Sequence, residues 1–267
     1  MKEALADAIV LAGGGIERER FQGLSEEIGR KAEIPLLGRP MVEWVVRALR
    51  QTPRVGRVVV VGHPTLETAR LRELEAALIP EAAGIAENLR AGLQALPGSE
   101  RVLMVSGDLP LLTREAIDDL LEQAPAAEIV FPYAGREDVL RVFPDRVWVF
   151  SHTPDGQFTG SSAALFRPAA VLANWRWVEE ILDARRKSVL GLAAMIGPLF
   201  ALKYLFRRLR VADVEQKLSS LLHLTGRGYR TRFPELAMDV DKYTDIAFVE
   251  KLLQSREPKP RMEAPGG

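Results

Sequence analysis

A short aliphatic run that empties straight into three consecutive glycines constrains this chain more than any other feature. Ala8-Ile9-Val10-Leu11 is apolar at every position, as expected of a central parallel strand covered on both faces. After Ala12 come Gly13-Gly14-Gly15, the one place where three glycines stand together. Glycine allows positive φ and brings a ligand close to the peptide N–H groups, and such a nest of donors suits phosphate oxygens. Arg18 and Lys31 follow in the next loop and supply the cations a triphosphate needs. Pro40-Met41 then opens a helix, with proline at a plausible first position.

Two common glycine motifs fail here. A dinucleotide fingerprint starting at Gly13 needs glycine where the chain has Arg18, and a P-loop needs Gly-Lys followed by Ser or Thr, whereas Lys31 lies between Arg30 and Ala32.

With 267 residues, 47% of them hydrophobic, the chain can bury a substantial core. Its 36 basic and 36 acidic residues cancel, so the overall charge gives no reason to expect a nucleic-acid partner. The absence of cysteine excludes disulfides, thiolate metal sites and a thiol nucleophile. His63, His152 and His223 lie far apart and read as surface or structural residues. The acidic start, entering a strand within ten residues, does not read as a signal peptide; the expectation is a soluble, cytoplasmic protein. The proline-rich 255–267 stretch reads as a disordered tail.

Along the chain, Met41–Arg50 carries a helical apolar stripe, Arg57–Val61 is a second strand, and Thr65–Leu78 reads as a charged amphipathic helix. The alternation predicts parallel pairing through right-handed crossovers, hence an α/β fold with a doubly wound, mostly parallel sheet. Asn88 is a candidate helix cap, or with Glu87 a reader of a base edge. Arg101–Ser106 forms another buried strand, and Asp108 follows its carboxyl end, where open α/β sheets bind ligands. Thr113 is placed to cap the next helix itself. Glu128–Phe131 reads as a short strand and Arg136–His152 as strands of an antiparallel excursion. Pro168–Arg186 is helical. From Arg185 to Arg210 there are seven basic residues and no acid, bracketing an apolar run broken by Gly191, Gly197 and Pro198. That run is too short to span a bilayer; it fits a helical cap packed on the sheet better than a hairpin lying on a membrane surface. A strand over the Asp239–Asp241 stretch would place both carboxylates on one face.

The chain resembles the MobA-like NTP transferases, relatives of the molybdenum-cofactor and sugar-phosphate nucleotidyltransferases. Leu11-Ala12-Gly13-Gly14, Arg18, Lys31 and Pro35-Leu36-x-Gly38-x-Pro40-Met41 match that family's opening signature, Gly107-Asp108-Leu109-Pro110 its metal aspartate, and Asp239-Val240-Asp241 its closing motif. The spacing from Arg18 to Lys31 is longer than the family norm, which leaves open whether Arg18, Arg20 or Arg30 faces the phosphates.

The resemblance implies a Rossmann-like fold of the nucleotide-diphospho-sugar transferase type over 1–254, with a helical insertion at about 168–228. It further implies nucleotidyl transfer from an NTP to a small phosphorylated acceptor with release of pyrophosphate. Arg18, Lys31 and Asp108 would be catalytic; Leu11, Ala12, Gly13, Gly14, Gly15, Glu87 and Asn88 would hold the nucleotide; Thr159 and Gly160 would lie at the acceptor. Asp108 and Asp241, with Asp239 as a contender, would bind Mg²⁺. Two alternatives stand beside this: a non-catalytic nucleotide-binding regulatory module, and a transferase acting on a membrane-associated lipid or polyol phosphate.

Overall fold

The computed structural model describes residues 4–187 and 197–256. Much of the basic apolar run and nearly all of the 255–267 tail lie outside them.

The sheet grows outward from β1 (Ala6–Ala12). Its flanks are β4 (Val55–Gly62) and β6 (Val102–Ser106), both parallel to it. Beyond β4 comes β5 (Ala76–Pro80), again parallel. Ile9 and Val10 at the centre are fully buried, in keeping with a strand covered on both faces. On the other side, β10 (Ala163–Phe166) runs antiparallel between β6 and β7 (Ile129–Gly135), and β11 (Gly226–Thr231) adds in parallel to β7. The sheet is therefore mixed, though mostly parallel. A small antiparallel ribbon, β2 (Pro35–Leu36) with β3 (Arg39–Pro40), leads into α1 (Met41–Arg50).

Helices on both faces of the sheet position the site. α1 and α4 (Arg114–Gln123) cover one face, and α3 (Ile85–Gln94) lies over the other. Thr113 caps α4 by accepting from the Ala116 N–H at 3.2 Å, as the sequence predicts. α6 (Pro168–Ala173) and α7 (Trp175–Lys187) divide the expected Pro168–Arg186 helix at Asn174, and α7 packs against α3. α8 (Pro198–Leu205) leaves Leu199, Leu202 and Leu205 exposed, so it does not sit on the sheet as the packed cap would. α9 (Val211–Leu222) packs against α7 and β11.

Three expectations are corrected. Thr65–Leu78 is not one helix: α2 covers only Ala69–Glu73, Glu75 takes φ 52°, and the chain continues as β5. The aliphatic Leu78-Ile79 pair, needed to extend the sheet, outweighs the charged helical pattern before it. Arg136–His152 is not a strand excursion. Its first half is α5 (Arg136–Val142), with Gly135 at the N-cap, Glu137 and Asp138 in the first turn and Val139 buried. Only β8 (Ser151–Thr153) and β9 (Gly156–Gly160) form a hairpin there. Finally, Met238–Asp241 is extended but pairs with no strand; it follows a short 3₁₀ turn and enters α10 (Tyr243–Arg256).

Candidate active site

The site forms where the carboxyl ends of β1 and β6 lie side by side, the usual crevice of such sheets. Gly107 N–H donates to the Leu11 carbonyl at 2.8 Å, and a Cβ on Gly107 would come within 3.1 Å of the Ala12 Cα. Only glycine lets the Asp108 turn lie this close to the glycine loop. Gly14 holds φ 105°, a conformation that costs any side-chain-bearing residue. Its N–H already binds an anion, Glu81 Oε2 at 3.0 Å. The other Glu81 oxygen pairs with Arg30 at 2.8 Å.

The long loop after the glycines folds back on itself. Gly15 and Arg30 form an antiparallel bridge and Ile16 N–H donates to the Gly29 carbonyl, so Arg30 and Lys31 return beside the glycines despite the length between them. Arg18 closes the excursion: its guanidinium donates to the carbonyls of Ser25, Glu26 and Ile28 at 3.1, 2.9 and 2.7 Å. Of the three arginines left open by the sequence, Arg30 lines the cavity. The Arg18 donors are committed to loop carbonyls.

Lys31 reaches across to two carboxylates from remote parts of the chain. Its Nζ lies 2.6 Å from Asp108 Oδ2 and 3.2 Å from Asp241 Oδ1. Burial alone would lower the Lys31 pKa, but Asp108 and Asp241 more than offset it and hold the ammonium above the usual lysine range. Asp239, joined to Ser162 Oγ at 3.1 Å, is pushed up to about 6 by burial first and then by the charges of Asp241 and Asp108; Lys31 and the Ser162 bond only partly offset this.

The closing segment is fixed by residues to which the sequence assigns no role. Asp245, 3% exposed, accepts from the N–H groups of Asp241 and Lys242 at 3.0 and 3.2 Å and pairs with Arg146 at 3.3 Å. Arg146 also donates to the Asp239 carbonyl, and Val240 N–H donates to the Asp108 carbonyl. Asp239 and Asp241 thus converge on Asp108 without the strand that was expected to align them.

A second missed device is a bulge. Val130 faces Leu165, but Tyr133 faces Gly160, so the β9–β10 chain carries two extra residues. Ser161 and Ser162 stand at this slip, line the cleft and bond to the Leu236 carbonyl and Asp239. Bulges often re-aim side chains beside active sites. A Gly-Ser-Ser step inside a strand pattern is the available sequence signal.

A cavity of about 1010 Å³ opens beside the glycine loop, with Leu11, Gly13, Gly14, Arg30, Asn88, Ser161 and Ser162 in its wall. Ala12 is buried beneath the loop and Gly15 is exposed on it. Asn88 is buried and accepts from Ala82 N–H at 2.6 Å; Gly84, not Asn88, stands at the N-cap of α3. Glu87 is exposed, and neither it nor Thr159 nor Gly160 lines the cavity.

The residues at the carboxylate corner suit a hard divalent cation. Three carboxylates surround one lysine, Asp108 Oδ1 is buried without a hydrogen-bond partner, and the oxygen-only donor set matches Mg²⁺ preferences. Among the described residues no three such groups already stand at coordinating distance, since Lys31 Nζ lies between two of them.

The sheet and this corner define the nucleotidyltransferase class. A match to the MobA-like NTP transferase domain covers residues 8–228, and the chain belongs to that family. The matched span takes in 168–228 and ends before Asp239. A hypothetical transferase from Thermus thermophilus is 35% identical, with TM-score 0.78 over 90% of this chain and 99% of that one. The 2-C-methyl-D-erythritol 4-phosphate cytidylyltransferase of the same organism shares the fold at 17% identity, with TM-score 0.57 over 93% of this chain and 98% of that one. The bifunctional protein GlmU of Rubrobacter xylanophilus is 35% identical over 97 residues, 35% of this chain and 21% of that protein. The chain thus spans only about a fifth of the length of that curated relative.

Proposed function

We propose that this chain transfers a nucleotidyl group from a nucleoside triphosphate to a phosphorylated acceptor. The acceptor's phosphate oxygen attacks the α-phosphorus, the bond from that phosphorus to the bridging oxygen breaks, and pyrophosphate leaves with both electrons of that bond. The observation that carries this is the meeting of Lys31, Asp108 and Asp241 beside a glycine loop whose N–H already holds a carboxylate. A phosphate is a stronger anion for the same seat. The cytidylyltransferase title of a fold neighbour, and another neighbour described as complexed with CTP, support a triphosphate in this cleft.

Each residue's part follows from its position. The Gly13–Gly15 backbone and Arg30 bind the departing phosphates once Glu81 yields to them. Lys31 swings from the carboxylates to the α-phosphate and stabilises charge that grows in the transition state. Asp108 and Asp241, with Asp239 behind them, would hold Mg²⁺, which when bound supplies charge neutralisation to the phosphate oxygens. Asp245 and Arg146 keep Asp239 and Asp241 in register with Asp108. An acceptor phosphate is already ionised near neutral pH, so no general base is required.

The test is pyrophosphate release from each of the four NTPs with Mg²⁺ and a panel of sugar, polyol and alkyl phosphates. Acceptor-dependent release that is lost in Asp108→Asn is expected. Saturable NTP binding with no release for any acceptor would instead favour a nucleotide-binding regulatory module.

A further inference from the structure

The cavity beside the glycine loop is lined mainly by apolar side chains. Its mouth is polar, with Arg30, Ser106, Ser161 and Ser162. Its depth runs between the sheet and two helices, and among the described residues its lining there is apolar. Met104, Ile129, Phe131, Ala164 and Phe166 form the floor. Val178, Ile181 and Leu182 of α7, and Val214, Leu218 and Leu222 of α9, form the roof. Both roof sets follow helical spacing, so each helix turns an apolar stripe inward without closing the space beneath it.

Protein interiors are packed close to crystal density, with few voids larger than a water molecule. The cavity of about 1010 Å³ opens at the glycine loop and continues inward over this apolar lining, which therefore calls for an occupant. Water is a poor one, because apolar cavities without polar partners stay dry. A nucleobase is also a poor one at depth: its edges need hydrogen-bond partners, which here cluster at the mouth around Asn88 and the Ala82–Ala83 backbone. A sugar has the same difficulty, since each buried hydroxyl without a partner is costly. Hydrocarbon fits the lining.

We infer that the acceptor is amphiphilic: a phosphate headgroup held near Ser161 and Ser162 at the mouth, and a single alkyl or prenyl chain laid beneath α7 and α9. This names the acceptor class for the transfer proposed above and rests on that reading. The reaction balances as before, with the headgroup oxygen forming the new bond to the α-phosphorus and pyrophosphate departing; the chain takes part in no bond change. Its burial gives binding energy remote from the reacting centre, which fixes the headgroup in place.

The test is calorimetric titration of the full chain, without nucleotide, with butyl, octyl and dodecyl phosphate below their micellar concentrations, and with farnesyl phosphate. Affinity is expected to rise about threefold to fourfold per added methylene while the cavity fills, then to level off. Farnesyl phosphate tighter than dodecyl phosphate would assign a prenyl chain, and the reverse an alkyl chain. Leu218→Trp places a ring in the roof and should weaken dodecyl phosphate at least tenfold while leaving butyl phosphate unchanged. Ile181→Phe serves the same purpose should the tryptophan variant fail to fold. Affinity independent of chain length, or a chain-length series untouched by either substitution, overturns the inference. NTP binding is measured separately by thermal shift. An intact NTP response with no chain-length series sinks the amphiphile alone, whereas a clear series with no NTP response sinks the transferase reading and leaves the hydrocarbon site standing.

Discussion

At one end of the cleft, Lys31 lies within 3.2 Å of both Asp108 and Asp241, joined by hydrogen bonds that reach across most of the chain. At the other, the described residues that line the cavity beneath α7 and α9 are apolar. The carboxylate corner is specified by charge and donor geometry, so few side chains can be exchanged there. The apolar end is specified by shape alone, and many aliphatic residues would serve. On the proposed reading the contrast separates chemistry from selection: the carboxylate corner would handle the triphosphate, and the apolar end would decide which acceptor is admitted.

Five substitutions would break or sharpen this division. The largest effect is expected from Asp108→Asn, which should cut pyrophosphate release by about 10²–10³-fold with far-ultraviolet circular dichroism unchanged; it removes charge while preserving shape. Asp245→Ala should unfold the chain more readily by about 3–5 kcal/mol in urea titration, because it leaves Arg146 buried without its carboxylate partner. That loss would show the corner to be a structural unit as well as a chemical one. Asn88→Ala deprives the Ala82 N–H of its acceptor and should cost about 1–3 kcal/mol, read from the same titration, with Glu87→Ala, on the exposed side of α3, within about 0.5 kcal/mol. The smallest effect on turnover is expected from Arg18→Ala: KM for the NTP rises by less than about tenfold and kcat holds, as for a residue that orders a loop without touching the reacting groups. A kcat loss equal to that of Asp108→Asn would return Arg18 to the phosphates.

The division also explains how much of the molecule could be read from its residues. β1, β4, β6 and α1 announce themselves through unbroken aliphatic runs or a clear helical stripe, because burial on both faces or on one face leaves a periodic trace. Gly13, Gly14, Lys31, Asp108 and Asp241 are picked out by the resemblance to the family's motifs, and the structure brings Lys31, Asp108 and Asp241 together. Arg18, an arginine after a glycine loop, has the right charge, and nothing in its neighbours reveals that three carbonyls will claim it. Arg30 returns to the cleft only through the Gly15–Arg30 bridge, a long-range pairing without local signature. Ser161 and Ser162 enter the cleft through a register slip between distant strands, and Asp245 becomes a clamp only once α10 docks beneath Arg146. Thr65–Leu78 and Arg136–Val142 are misread for the same reason: sheet extension and helix capping there override short charge patterns. The cavity itself has no sequence trace, because Val178, Leu218 and Phe166 look like ordinary core residues until the space between them is seen.

The central claim is that Lys31 leaves Asp108 and Asp241 to meet a triphosphate. The most direct measurement is calorimetric titration of the wild-type chain and Lys31→Ala with each of the four NTPs in the presence of Mg²⁺. Saturable one-site binding of at least one NTP by the wild type, weakened tenfold or more in Lys31→Ala and abolished by EDTA, is the expected result. Equal affinity in the two proteins, or no binding of any NTP to the wild type, would contradict it.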